Sequence, residues 1–197
     1  MSEQTKNEND FREDQREAIR VLRAGGIILY PTDTVWGIGC DATNPEAVSR
    51  IYELKHRAAA KSMLVLVCDT AQAERFTDDG EEIAFQLLEE SVTPLTVIFD
   101  RARGLAPNLV ADDGSIGMRL SRERYSSGLC RGLRRPVVST SANISGTPAP
   151  ALFQEIAPEI VEGVDYVARY RRDDTHRAAP SAIIKVSKGG VIRIIRE

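Results

Sequence analysis

Short apolar runs alternate with amphipathic segments along most of the chain, which predicts a mixture of strands and helices. Continuous apolar runs predict strands at 27–30, 63–67, 95–99, 116–120, 136–138, 164–170, 181–186 and 191–196. Apolar residues at helical spacing predict helices at 11–24, from Pro45 onwards, and at 81–90, 122–133 and 152–161. The polar residues 1–10 are expected to form a disordered N-terminal tail, followed by a single domain at 11–197.

The order of these elements predicts an α+β (mixed α/β) fold. Strands and helices do not alternate strictly, which favours one twisted mixed sheet flanked by helices over a doubly wound parallel sheet. A chain of 197 residues suits one sizeable core. With 28% charged residues and a net charge of −3, the composition is that of an ordinary globular domain.

The same composition excludes several classes of protein. Three separated cysteines and two histidines are a poor supply for a disulfide framework, a zinc site or a Ser/His/Asp triad. No apolar run approaches the roughly 18 residues of a membrane-spanning helix, and the polar N-terminus does not resemble a signal peptide. We therefore expect a soluble, cytoplasmic protein with no membrane contact.

Four polar clusters follow or interrupt the predicted strands, where loops commonly present ligand-binding groups. They are Thr32-Asp33-Thr34, the cations Lys55, Arg57 and Lys61, the segment Ser115 to Arg119, and Ser139-Thr140-Ser141-Ala142-Asn143. Hydroxyls and a carboxylate suit a small polar substrate, and clustered cations suit phosphate. Each cluster also has a structural interpretation: a turn cap, cations at a helix C-terminus, an edge arginine and an edge strand.

The segment Gly26 to Cys40, which contains the Thr32-Asp33-Thr34 cluster, closely resembles the signature of the YrdC-like family. The pairs Lys55-x-Arg57 and Ser141-x-Asn143 are similar to the KxR and SxN signatures of that family, in the expected order. Pro180-Ser181 and Arg196 resemble its closing elements. The resemblance extends over nearly the whole chain and matches the short form of the family.

This resemblance implies a fold with a deep, positively charged cavity and L-threonylcarbamoyladenylate synthase (nucleotidyltransferase) activity. Such enzymes join L-threonine, bicarbonate and ATP, with Mg²⁺, to form threonylcarbamoyladenylate and pyrophosphate. Downstream threonylcarbamoyl transferase proteins pass the group to tRNA, giving threonylcarbamoyladenosine. The protein itself is expected to be a monomer or a weak dimer.

The resemblance also implies a role for individual residues. Lys55 and Arg57 are the expected catalytic residues. The expected L-threonine contacts are Thr34, Arg119, Ser139 and Ser181. The expected ATP contacts are Arg57, Lys61, Ser115, Ser141, Asn143 and Arg196. No protein ligand to a metal is expected.

An alternative function is a YrdC-like paralogue that binds tRNA or double-stranded RNA without synthase activity. A basic region could track phosphates. Its residues are Arg119, Arg122, Arg124, Arg131, Arg134 and Arg135. The net negative charge and the single tryptophan count against RNA binding, because bases stack on aromatic side chains. A third possibility is a divergent paralogue that binds ATP and an amino acid but catalyses poorly. The segments 58–62 and 92–96 depart from the family pattern and could reduce its activity.

Overall fold

The computed structural model describes residues 3–57, 63–78 and 80–197 and contains one mixed nine-stranded sheet. The strands are β1 Ile28–Tyr30, β2 Gly37–Gly39, β3 Leu64–Val67, β4 Leu95–Phe99, β5 Ile116–Leu120, β6 Val137–Ser141, β7 Tyr166–Val167, β8 Ala182–Ser187 and β9 Val191–Arg196. The helices are α1 Glu3–Arg23, α2 Pro45–Leu54, α3 Thr70–Glu74, α4 Glu82–Glu90, α5 Arg124–Leu133 and α6 Pro158–Gly163, with a 3-10 turn at Phe153–Glu155.

The strands lie in the order β7-β1-β2-β6-β3-β5-β4-β8-β9. The pairs β1–β7, β3–β5 and β4–β8 are parallel, and the other neighbours are antiparallel. This topology confirms the predicted mixed sheet with flanking helices. Strands far apart in sequence become neighbours, so segments from both halves of the chain converge on one sheet face.

Helix starts follow the local chemistry of the sequence. The Asn44 side chain accepts hydrogen bonds from the backbone N–H groups of Glu46 and Ala47, while Pro45 occupies the first helical position. The Glu123 carboxylate caps α5 in the same way, accepting from Tyr125 and Ser126. These side chains satisfy N–H groups that have no partner within the helix.

The first helix begins at Glu3, so residues 3–10, expected to be disordered, form its first turns. Tertiary contacts explain the longer helix. Glu8 forms ion pairs with Arg12 on α1 and with Arg124 at the start of α5. Phe11 packs edge-on against Tyr125, with ring centroids 5.7 Å apart. These contacts join the polar first turns to the folded domain.

Two other predicted elements are shorter than expected. The predicted strand 164–170 is reduced to Tyr166–Val167, and the predicted helix 152–161 divides into the 3-10 turn and α6. Pro158 begins α6 because proline favours the first helical position and cannot donate an N–H further inside a helix. In the described part of the chain, no helix is both long enough and apolar enough to cross a membrane.

One face of the central sheet carries Arg119 and Arg196, two of the predicted site residues. Side chains directly opposite each other on neighbouring strands lie on the same face. Arg119 on β5 lies opposite Thr96 on β4, Thr96 lies opposite Ile183 on β8, and Ile183 lies opposite Arg196 on β9. Met118 points to the other face, where it is buried in the core.

Candidate functional site

A cleft of about 270 Å³ lies over this face of the sheet. Its described walls come from the β1–β2 loop, the end of α2, strands β3, β5, β6 and β8, and the end of β9. The residues that line it are Thr34, Val35, Trp36, Gly37, Arg57, Met63, Leu64, Arg119, Ser139, Thr140, Ser141, Ala149, Pro180, Ser181, Ile183 and Arg196. Among these residues there are three arginines, several hydroxyls and no carboxylate, so the cleft is suited to an anionic ligand.

The β1–β2 loop presents the Thr34 hydroxyl to the cleft. Pro31 ends the strand, and the chain then turns tightly around the Thr32 side chain. The Thr32 hydroxyl donates to the carbonyl of Val35 (2.7 Å) and accepts from the Thr34 N–H (3.0 Å). Because its single proton is used, its 3.0 Å contact with the Thr34 hydroxyl makes Thr34 the donor. The Thr34 oxygen therefore keeps acceptor capacity for a ligand.

Arg119 is a buried cation in the floor of the cleft. Its side chain is 4% exposed, and its Nη2 lies 3.1 Å from Asp33 Oδ1 in the β1–β2 loop. Burial lowers the pKa of Arg119, and Asp33 opposes that shift. Burial likewise raises the pKa of Asp33, against the opposing charges of Arg119 and Arg171. This arginine in the middle of a sheet thus has an anionic partner.

Lys55 lies beside the cleft rather than among its lining residues. Its side chain is buried, and the ammonium donates to the backbone carbonyls of Ser141 and Asn143. Its own carbonyl accepts from the N–H of Ser145, so three hydrogen bonds join Lys55 to the end of β6 and the segment after it. Burial, followed by the charge of Arg57, lowers the pKa of Lys55 to about 8. In this geometry Lys55 holds the cleft wall, and its catalytic role stays a prediction.

Hydrogen bonds join the end of β6 to the residues that follow it. The Ser141 hydroxyl donates to Asn143 Oδ1 (2.5 Å), and Asn143 Nδ2 donates to the carbonyls of Ile144 and Thr147. Ser139, Thr140 and Ser141 all line the cleft, and Ser139 and Ser141 lie on one face of the strand. Asn143 turns into its own loop instead, so it shapes the segment that carries Ser141.

The far wall of the cleft is formed by Ser181 and Arg196. The Ser181 hydroxyl shares a hydrogen bond of 2.9 Å with that of Thr96 on β4. Arg196 donates from Nε (3.1 Å) and Nη2 (2.7 Å) to the Ser181 carbonyl. The last residues of β9 are thereby held against the loop that precedes β8.

The structure brings together Thr34, Arg57, Arg119, Ser139, Ser141, Ser181 and Arg196 of the predicted site residues. Arg57 follows α2, and burial lowers the pKa of its guanidinium. Lys61 lies outside the described residues. Ser115 precedes β5, is absent from the described cleft lining, and donates its N–H to Asp113. The proposed ATP contact of Ser115 therefore stays a prediction.

Sequence patterns did not single out the apolar part of the lining. Leu64 and Ile183 lie in apolar strands and Met63 immediately precedes β3, so nothing local marks these residues as part of a cleft. Trp36 packs against Phe153, with ring centroids 4.9 Å apart. Trp36 lies two residues after the Thr32-Asp33-Thr34 cluster and within the Gly26 to Cys40 signature, and both signals place it near the site.

Of the six arginines considered for RNA binding, one is buried and two others pair with carboxylates. Arg119 is buried in the cleft with Asp33. Arg124 pairs with Glu8 on α1, and Arg135 pairs with the buried Asp41. The geometry therefore does not favour the RNA-binding alternative.

The fold and the cleft define a mixed α/β protein with an arginine-lined, hydroxyl-rich cleft that is suited to anionic small molecules. The chain belongs to the Sua5/YciO/YrdC family, whose family model, described as "Telomere recombination", matches residues 20–197. This match confirms the resemblance seen in the sequence.

Two similar proteins are threonylcarbamoyl-AMP synthases. That of Stenotrophomonas maltophilia (strain K279a) is 32% identical over 181 residues, covering 89% of this chain and 95% of the relative. That of Cellvibrio japonicus (strain Ueda107) is 32% identical over 178 residues, covering 89% and 93%.

Solved structures share the fold. Sua5 of P. abyssi complexed with L-threonine superposes with a TM-score of 0.80 at 24% identity, covering 92% of this chain and 53% of Sua5. This chain thus spans about half of Sua5. E. coli YciO superposes with a TM-score of 0.79 at 21% identity, covering 95% of this chain and 89% of YciO.

Proposed function

We propose that this chain is a threonylcarbamoyl-AMP synthase that makes L-threonylcarbamoyladenylate and pyrophosphate from L-threonine, bicarbonate and ATP. The observation that carries the proposal is the arginine- and hydroxyl-lined cleft in a chain that covers 95% of a synthase of that name. The L-threonine bound to Sua5, which has the same fold, supports an amino-acid substrate.

L-Threonine is proposed to bind between the β1–β2 loop and the sheet. Its carboxylate would meet Arg119, and its ammonium or hydroxyl would donate to the free acceptor side of Thr34. The Ser139 and Ser181 hydroxyls complete this end. Buried hydrogen-bonding groups discriminate strongly because an analogue that lacks the partner leaves them unpaired.

ATP is proposed to occupy the part of the cleft that Arg57, Ser141 and Arg196 line, with Asn143 holding Ser141 in place. Lys61 and Ser115 are further proposed contacts. Arginine suits this role because its planar donors match phosphate oxygens and it keeps its charge when buried.

The reaction proposed here needs no protein nucleophile. The threonine nitrogen attacks the carbon of bicarbonate, and loss of water leaves a carbamate. A carbamate oxygen then bonds to the α-phosphorus while the bond from that phosphorus to the β-phosphate oxygen breaks, releasing pyrophosphate. The chain contributes positioning and stabilisation of the phosphate charge, which suits a cleft rich in arginine and hydroxyls.

Mg²⁺ is proposed to enter with ATP, where it would offset charge on the phosphates. In the described part of the chain, no group of three or more His, Cys, Asp or Glu side chains is placed to hold a metal ion. With the phosphates held by arginines, the ligands of Mg²⁺ would be phosphate oxygens and water. The proposal also includes a cytoplasmic location, a monomeric or weakly dimeric state, and transferase partners that act on tRNA.

Pyrophosphate release from ATP by the purified protein tests the proposed function. Omitting L-threonine and bicarbonate in turn should abolish release in each case, and mass spectrometry should detect threonylcarbamoyladenylate in the complete reaction. Release without L-threonine would contradict the proposed reaction. ATP binding without any release would identify the divergent paralogue.

Thr34→Val is expected to weaken L-threonine binding about tenfold and ATP binding far less. Valine keeps the shape but removes the hydroxyl oxygen that faces the cleft. The measurement is the KM for each substrate in the pyrophosphate assay. Thr93→Val, at an exposed position outside the cleft lining, is the matched control. An equal loss for both substrates would argue against a threonine contact.

A further inference from the structure

The ion pair of Arg119 and Asp33 is only partly formed. Oδ1 of Asp33 lies 3.1 Å from Nη2 of Arg119, but this oxygen makes no aligned hydrogen bond to any described residue. Nε of Arg119 is also buried without a hydrogen-bond partner in the described part of the chain. A fully formed pair between arginine and carboxylate uses two parallel hydrogen bonds. Asp33 therefore offsets the charge of Arg119 but leaves some N–H donors of the Arg119 guanidinium without a hydrogen bond to it.

Asp33 is held in this position by the loop around it. Nη1 of Arg171 donates to the carbonyl of Thr32 at 2.9 Å, and Arg171 also pairs with Asp174. On the other side, the Thr34 N–H binds the Thr32 side chain. The Asp33 side chain is 13% exposed, so water screens its charge weakly. The carboxylate is thus a fixed negative charge behind the floor of the cleft.

Arg196, elsewhere in the cleft wall, has a different kind of partner. It donates to the neutral carbonyl of Ser181, which leaves its full positive charge for a ligand. The two arginines therefore differ in electrostatic character. The end at Arg119 carries a cation offset by an anion, and the end at Arg196 carries a cation bound to a neutral group.

We propose that Asp33 is a specificity-determining residue that reserves the Arg119 end of the cleft for a singly charged carboxylate and keeps doubly charged phosphate out. Coulomb repulsion grows with the charge of the ligand, so Asp33 repels a dianion about twice as strongly as a monoanion. Because a binding constant depends exponentially on energy, the factor by which Asp33 weakens the binding of a dianion is about the square of the factor for a monoanion. For an amino acid, the ammonium group offsets the repulsion further. This inference rests on the proposed function, which places the threonine carboxylate at Arg119.

Displacement of L-threonine by small anions tests this inference. Trp36 is the only tryptophan and lines the cleft, so its fluorescence can report binding, with calorimetry as the second measurement. Inorganic phosphate at pH 8 is the dianion probe, and acetate is the monoanion probe. In Asp33→Asn, phosphate should displace L-threonine at a concentration at least about tenfold lower than in the unsubstituted protein, whereas acetate should shift about threefold.

Asp78→Asn is the matched control, because it also removes the carboxylate of an arginine pair, with Arg103, outside the cleft lining. It should leave both displacement curves unchanged. If Asp33→Asn shifts phosphate and acetate equally, or shifts neither, this inference is overturned while the proposed function stands. If the unsubstituted protein does not bind L-threonine, the proposed function itself fails, and this inference fails with it.

Asp33→Glu keeps the test usable if Asp33→Asn does not fold. Glutamate retains the negative charge, so the ratio of phosphate to L-threonine affinity should stay within about threefold of the original. A ratio that rises tenfold in a folded Asp33→Glu protein would show that the charge of residue 33 does not exclude phosphate. Thermal unfolding of each variant establishes that it is folded.

Discussion

Replacing Arg57 with alanine is expected to lower the rate of pyrophosphate release on the order of 100-fold, with the loss mainly in kcat/KM for ATP. The guanidinium lies in a partly buried cleft wall, where a charge-assisted hydrogen bond to phosphate is worth more than in water. The measurement is steady-state pyrophosphate release at varied ATP and saturating L-threonine.

Arg57→Lys distinguishes the shape of the guanidinium from its charge. Lysine keeps the charge but loses the planar pair of donors, so it should recover only part of the lost rate. Arg16→Ala, at an exposed position on α1 outside the cleft lining, is the control for loss of an arginine. Full activity in Arg57→Ala would remove Arg57 from the phosphate site.

Lys55→Met is expected to lower the free energy of unfolding by about 3 kcal/mol and to reduce pyrophosphate release as well. Methionine approximately keeps the volume but leaves the carbonyls of Ser141 and Asn143 without the ammonium donor. Buried acceptors that lose their partner carry a full desolvation penalty. Urea denaturation gives the stability, and the pyrophosphate assay gives the activity of the folded variant.

The pH dependence of this effect follows from the pKa of Lys55. Burial and Arg57 lower that pKa from 10.5 to about 8 in the folded chain. Between these values the unfolded chain holds a proton that the folded chain has released, so raising the pH through this window adds stability. The stability lost in Lys55→Met should therefore be larger at pH 9 than at pH 7. A difference that does not change with pH would contradict the lowered pKa of Lys55.

Much of the fold could be predicted because its signals are local. Asn44-Pro45 predicts the start of α2, since both residues act on the N–H groups of the next turn. Apolar runs such as 116–120 predict buried strands because only the surrounding few residues set that pattern. The start of α1 could not be predicted. Its polar first turns are tied down by Arg124, a residue more than a hundred positions away.

In the candidate site, too, some features follow from neighbouring residues and others depend on contacts between distant segments. Ser139 and Ser141 both line the cleft, and they share one strand face because a strand sends every second side chain to the same side. Lys55 could not be placed from the sequence. Whether a lysine at the end of a helix meets phosphate or buried carbonyls depends on the loop after β6, which comes from far along the chain.

The sequence by itself determined the class of fold, the family and the set of polar residues from which the cleft is built, because caps, turns, apolar periodicity and short motifs are properties of neighbouring residues. Only the tertiary structure decided which of those residues face the cleft and which support it. The pairing of Arg119 with Asp33 and the burial of Lys55 arise from strand order and packing, which bring distant segments within a few ångströms. Charge and hydrogen-bonding capacity are local, but the partner that uses them is set by the fold.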